Sequence, residues 1–153
     1  AAYRKSFFEL RGNPDHHEPL YEGAKACIEA LAAHDEVLLG IATGKSRRGV
    51  DALLELHDLR DRFVTIQTSD NAPSKPNPAM VHQALAETGL RAADTTLIGD
   101  TSFDMLMAQN ASIAALGVTW GYHNPLELKQ AGASNLFDTF PDLQAYLLTD
   151  MNG

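Results

Sequence analysis

The sequence predicts an α/β fold, a Rossmann-like parallel sheet with helices on both faces. Three observations carry that expectation. Short continuous apolar runs recur at Val37–Ala42, Thr95–Ile98 and Ile113–Val118, and such runs, bounded by turn residues, suit strands buried on both faces. Helical patterns separate them, so strands and helices alternate from about Glu36 to Leu148, as in a sheet built from right-handed crossovers. The polar residues that could carry chemistry fall just after these runs, and such crossovers gather the strand ends on one edge.

The first 20 residues stand apart, because Arg11-Gly12-Asn13-Pro14-Asp15-His16-His17 is polar and turn-rich and reads as a hinge into the sheet. Tyr21–Ala33 predicts an amphipathic helix with Ala24, Cys27, Ile28 and Leu31 on one stripe. Val37–Ala42 predicts a buried strand ended by Thr43-Gly44. Ser46 suits the N-cap of a helix that turns Val50, Leu53, Leu54 and His57 inward. Phe63–Gln67 reads as a strand. Asn77 then caps a helix with Pro78 at its first position, and Val81 and Leu85 continue its apolar stripe. Strand Thr95–Ile98 leads to helix Ser102–Gln109, with Asp100 or Ser102 as its cap. Strand Ile113–Val118, a short helix Pro125–Gln130, a short strand Asn135–Phe137 and a closing helix Pro141–Leu148 complete the pattern.

The chain of 153 residues fits one domain of ordinary size, and its 44% hydrophobic content supports a real core. A formal net charge of −8 argues against nucleic acid as a partner, since a phosphate-backbone binder needs a basic face. No apolar run approaches the roughly 18 residues of a membrane span. The start, Ala1-Ala2-Tyr3-Arg4-Lys5-Ser6-Phe7-Phe8, has no apolar stretch of the kind a signal peptide carries. With one cysteine, Cys27, no internal disulfide forms, and a reducing, cytoplasmic location is expected. Cys27 lies in an apolar helical pattern and reads as a buried structural thiol.

Thr43-Gly44 ends an apolar strand, where a hydroxyl, backbone N–H groups and the next helix's N-terminus make an anion site. Taken alone, the pair reads as a plain turn. Lys75 sits in Pro73-Ser74-Lys75-Pro76-Asn77-Pro78, where prolines restrict the backbone and could hold its point charge against a phosphoryl oxygen. Taken alone, it reads as a solvated loop lysine. Asp100 and Asp104 flank the start of a helix after a strand, and carboxylates there suit a hard cation such as Mg²⁺ working beside substrate phosphates. Together, hydroxyl, lysine and paired carboxylates are the kit that phosphoryl transfer needs around developing charge. The six histidines form no spaced ligand motif. Trp120 and Tyr122 follow a strand end and could border a pocket or simply pack.

On Ile41-Ala42-Thr43-Gly44-Lys45, Ser74-Lys75-Pro76-Asn77-Pro78 and Leu97-Ile98-Gly99-Asp100-Thr101-Ser102-Phe103-Asp104-Met105, the chain resembles the haloacid dehalogenase-like hydrolases, and among them the phosphoglycolate phosphatase-like branch. Ala114–Tyr122 and Ala131-Gly132-Ala133 also resemble that branch. The resemblance covers roughly residues 18 to 148. It implies a Mg²⁺-dependent hydrolysis of a small phosphorylated metabolite through an aspartyl-phosphate. Thr43, with N–H groups near Gly44, would bind the phosphoryl group, and Lys75 would neutralise charge on nucleophile and phosphate. Asp100 would ligate Mg²⁺ directly, and Asp104 would hold a metal-bound water or orient Lys75.

The family's nucleophile lies in an Asp-x-Asp-Gly-type motif on the first strand, and no Asp-x-Asp occurs in this chain. The resemblance therefore implies the carboxyl-terminal part of such an enzyme. Residues 1–18 would be a remnant of a cap and its hinge, and residues 19–153 a core lacking the nucleophile strand. That strand would lie between those ending at Thr43 and Asp100. Its absence predicts two unpaired inner edges, open to dimerisation or swapping, and no turnover by this chain. Three other readings compete. Gly40-Ile41-Ala42-Thr43-Gly44-Lys45-Ser46 approaches a nucleotide-binding P-loop, with three residues between the glycines where that motif has four. A signalling receiver domain also surrounds phosphate with aspartate, threonine and lysine, but wants acidic residues after its first strand. A non-catalytic interaction module is the third.

Overall fold

The computed structural model describes residues 4–8, 18–119 and 124–152, with side chains described for 23, 25–119 and 124–149. In chain order the elements are β1 (Arg4–Phe8), α1 (Glu18–Ala32), β2 (Val37–Ala42), α2 (Arg47–Leu56), β3 (Thr65–Gln67) and α3 (Ala79–Thr88). They continue with β4 (Thr95–Gly99), α4 (Ser102–Asn110), β5 (Ala114–Val118), α5 (Pro125–Gln130), β6 (Asn135–Phe137) and α6 (Phe140–Asn152). Single turns of 3-10 helix at Arg60–Arg62 and Ala92–Asp94 lead into β3 and β4.

All strand pairs are parallel, in the order β3-β2-β1-β4-β5-β6. The chain builds outward from β1 to β3, then crosses over and builds outward again from β4 to β6. Between β1 and β4 the order reverses, with β2 beside β1 on one side and β5 beside β4 on the other. Open α/β sheets hold their ligand crevice at such a point.

The sheet separates two cores, as the two-residue period of a strand requires. Leu39 and Ile41 of β2, Ile98 of β4 and Leu116 of β5 face one layer, which α1, α2 and α6 cover through Ile28, Val50, Leu54 and Leu143. Ala42, Leu97 and Ala115 face the other, covered by α3, α4 and α5 through Met80, Met105 and Leu128. Cys27 belongs to the first core, and burial pushes its thiol up from 9.0 to about 12. That agrees with the structural thiol the sequence predicts.

Strands Val37–Ala42 and Asn135–Phe137 and helix Pro125–Gln130 stand where the sequence places them. The strand expected from Phe63 starts at Thr65, and Val64 just before it is exposed. Helix α3 starts at Ala79 with Pro78 as its cap residue, one position later than expected, while the Asn77 side chain still accepts from the Ala79 N–H at 2.9 Å. His57, expected on an inward face, is the C-cap of α2. The expected hinge at Arg11–His17, the side chain of Ala24, and Trp120 and Tyr122 lie outside the described residues.

The N-terminal segment brings the main correction. The gap expected between the strands ending at Thr43 and Asp100 is filled by β1, with Phe8 paired to Ile41 on one side and Ile98 on the other. Arg4-Lys5-Ser6-Phe7-Phe8 lacks the continuous apolar run that marks a buried parallel strand. Its place follows from backbone demand: two facing inner edges each present a row of N–H and C=O groups that a third strand satisfies. The inner edges on which the swapped-assembly expectation rested are therefore paired.

Candidate active site

Thr43 directly follows β2, and Asp100 directly follows β4. Only β1 separates those strands, so their ends lie two strand spacings, roughly 10 Å, apart across the crevice mouth. Thr43 is buried, and its amide donates to the Gln67 carbonyl at 3.0 Å. Its Oγ1 accepts the Lys45 N–H at 3.2 Å. At Gly44 a Cβ would meet nothing within 4 Å, so the backbone there lies open to close approach.

The start of α2 is less open than the sequence suggests. Ser46 Oγ accepts the Gly49 N–H at 3.1 Å, and Asp70 Oδ2 accepts the Arg47 N–H at 2.8 Å. The Arg47 and Gly49 amides are thus already engaged within the protein.

The cap of α4 is Thr101, not the expected Asp100 or Ser102. Thr101 Oγ1 accepts the Asp104 N–H at 3.2 Å, and Asp104 Oδ2 accepts the Thr101 N–H at 3.2 Å, closing a capping box. The Thr101 hydroxyl also donates to Asp104 Oδ2 at 2.9 Å. Asp104 can fold back this way because residue 99 is glycine: a Cβ there would collide with Asp104 Cβ and lie 2.6 Å from its Oδ2.

Asp104 Oδ1 accepts from Lys75 Nζ at 2.5 Å, a pair in which the lysine side chain is 9% exposed and the aspartate fully buried. The loop that brings Lys75 here has a cis Lys75–Pro76 peptide, and Asn110 at the end of α4 donates to the Pro76 carbonyl at 3.0 Å. Lys75 is thus no solvated loop lysine. One Asp104 oxygen meets the Lys75 ammonium and the other the cap. Asp100, one residue beyond Gly99, is buried at the same strand end. Among the described residues no group of three or more His, Cys, Asp or Glu side chains gathers around a common metal position.

A lysine charge held by a buried carboxylate, a second carboxylate at the strand end and a hydroxyl beside an open glycine backbone can together grip a phosphoryl group and a hard cation. A family model described as haloacid dehalogenase-like hydrolase matches residues 3–118. The chain belongs to the haloacid dehalogenase-like hydrolases.

Within this family the chain is 41% identical over 115 residues to the probable phosphatase IndB of Dickeya dadantii, covering 74% of this chain and 50% of that protein. It is 31% identical over 140 residues to the phosphoglycolate phosphatase of Photobacterium profundum, covering 90% of this chain and 59% of that protein. The chain thus spans about half the length of the curated relatives it matches. Among solved structures, a predicted phosphoglycolate phosphatase from Haemophilus somnus 129pt superposes with a TM-score of 0.74 at 26% identity, covering 82% of this chain and 56% of that one. A predicted phosphatase from Clostridium acetobutylicum shares the fold, with a TM-score of 0.82 at 19% identity over 97% of this chain and 100% of that one. The family match sets aside the P-loop and receiver readings.

Sequence alone does not assign a role to three residues that shape the local geometry around these side chains. Thr101 is legible in principle, because Thr-x-x-Asp before an apolar helix is a capping-box signature. Gly99 and Asp70 carry no such signal. Their roles arise from a fold-back and from a contact 23 positions away in sequence.

Proposed function

We propose that this chain carries the phosphate-gripping and Mg²⁺-holding residues of a phosphatase acting on a small phosphomonoester of the phosphoglycolate type, and that the chain alone does not turn over. The buried Lys75–Asp104 pair beside Asp100 carries the reading. A lysine is expensive to bury, and a structural fold has no need of one at the mouth of a crevice. Held by Asp104, its positive charge would meet the oxygens of a phosphoryl group bound in the crevice.

The donor set fits a hard cation, since the Asp100 carboxylate offers oxygen ligands at the crevice and hydroxyl and lysine groups accompany it. Asp100 would hold Mg²⁺, with Asp104 acting through Lys75. When bound, Mg²⁺ supplies charge neutralisation at the phosphoryl oxygens. The Thr43 hydroxyl and the Gly44 backbone would orient the phosphoryl group, and Lys75 would stabilise its developing negative charge. In the resembled enzymes an aspartate attacks phosphorus, and water then hydrolyses the aspartyl-phosphate. No Asp-x-Asp supplies that nucleophile in these 153 residues, so binding without turnover is the expected behaviour.

The test is a thermal melt of the chain with MgCl₂ and inorganic phosphate, beside a turnover assay on a panel of phosphate esters. A ligand that binds the native state raises the midpoint. The expected result is a rise with both ligands together, reduced in Asp100→Ala and in Thr43→Val, and no release of phosphate. No shift in the wild-type chain would overturn the site. A Mg²⁺-dependent hydrolysis rate abolished by Asp100→Ala would overturn the claim of no turnover.

A further inference from the structure

We infer that Ser69 and Asp70, just beyond β3, form a bracket that fixes the Thr43–Ser46 turn against the loop carrying Lys75, with Asp70 as a positioning residue. Four hydrogen bonds link this junction to residues 67–70. The Thr43 amide donates to the Gln67 carbonyl at 3.0 Å. The Ser69 amide and hydroxyl both donate to the Lys45 carbonyl, each at 3.1 Å. The Arg47 amide donates to Asp70 Oδ2 at 2.8 Å. The bracket grips the residue after Gly44 and the first residue of α2, on either side of Ser46.

Its other side is anchored in a polar network. Asn71 Oδ1 accepts the Thr68 amide at 2.8 Å, and its Nδ2 donates to Gln67 Oε1 at 2.7 Å. Gln67 is fully buried and donates to Glu87 Oε2 of α3 at 2.8 Å, while Gln83 of α3 donates to the Asn71 carbonyl at 3.1 Å. Four residues beyond Asn71 the same loop presents Lys75. One short segment therefore sets the position of a backbone turn on β2 and of a charge delivered to α4. A carboxylate at the start of α2 also occupies the helix-end amide that would otherwise compete with the turn for an anion.

This inference rests on the phosphate-site reading, and amide exchange separates the two. Hydrogen exchange and inorganic phosphate titration, with MgCl₂ present, are followed by NMR on the wild-type chain, Asp70→Ala and Asp70→Asn. Loss of a charged acceptor should raise exchange at the Arg47 amide about tenfold in Asp70→Ala, while Gly49, capped by Ser46, stays unchanged. Phosphate should bind about tenfold more weakly with the melting midpoint close to wild type, and Asp70→Asn, which keeps an acceptor oxygen, should restore most of both. Unchanged Arg47 exchange in Asp70→Ala overturns the bracket. Faster exchange with unaltered phosphate affinity overturns the positioning role. If the wild-type chain shows no phosphate-induced shift at Gly44 or Lys45, the phosphate reading fails, and the bracket stands or falls on Arg47 exchange alone.

Discussion

Lys75 and Asp104 stabilise each other only as a pair. Removing one partner of a buried ion pair leaves an uncompensated charge and costs roughly 3–5 kcal/mol. Lys75→Met should lie near the lower end, because Thr101 still donates twice to Asp104 Oδ2. Adding Asp104→Leu should recover part of the loss, and urea unfolding of both single variants and the double variant measures the coupling. The two glycines of the site should respond in opposite ways. Gly99→Ala drives a methyl into an aspartate held by its cap and by Lys75, with an expected loss of roughly 1–3 kcal/mol for overpacking. Gly44→Ala meets open space and should change stability by less than about 0.5 kcal/mol while weakening phosphate binding. A large stability loss at Gly44 would place something solid where the backbone lies open.

Helix α4 shows how an element can serve two tasks. Its first turn supplies the capping box, and the same aspartate that completes the box aims the lysine. Thr101→Ala should cost roughly 0.5–2 kcal/mol, as lost N-caps do. It should also loosen Lys75, visible as faster amide exchange in the 73–77 loop; unchanged exchange there would show that Lys75 alone holds Asp104. Elements of this kind are legible to different depths. Val37-Leu38-Leu39-Gly40-Ile41-Ala42 is apolar throughout and could be little else than a buried strand. Thr43, Lys75, Asp100 and Asp104 are legible from residue type and from their place after strands. That Lys75 meets Asp104 comes only through the family resemblance, as one of two roles it implies for Asp104, because the contact spans 29 positions and depends on the path of a proline-bearing loop. Asp70 is illegible for the same reason.

At the scale of the molecule, β1 is the hinge of the sheet's integrity. Among the described residues it alone pairs the strands of the β3-β2 half with those of the β4-β5-β6 half, and its residues offer little sign of it, since Arg4 and Lys5 speak against burial while the facing edges demand a partner. Deleting residues 1–8 should broaden the urea transition and produce larger species in sedimentation velocity, as each exposed edge finds another chain. A monomer with an unchanged midpoint would show that the halves cohere through their helices alone. The single thiol offers a way to watch such events. Cys27 sits in the α1 layer of the core, and deprotonation is suppressed there until about pH 12. A folded thiol that holds its proton more tightly than the unfolded one favours the native state below pH 9. Stability should therefore fall by roughly 1 kcal/mol for each pH unit as pH climbs from 9 towards 12. At neutral pH an aromatic disulfide reagent should react only when α1 leaves the sheet, so the labelling rate becomes a clock for opening of that layer. Labelling as fast as that of a free thiol would mean the layer opens far more often than its packing implies.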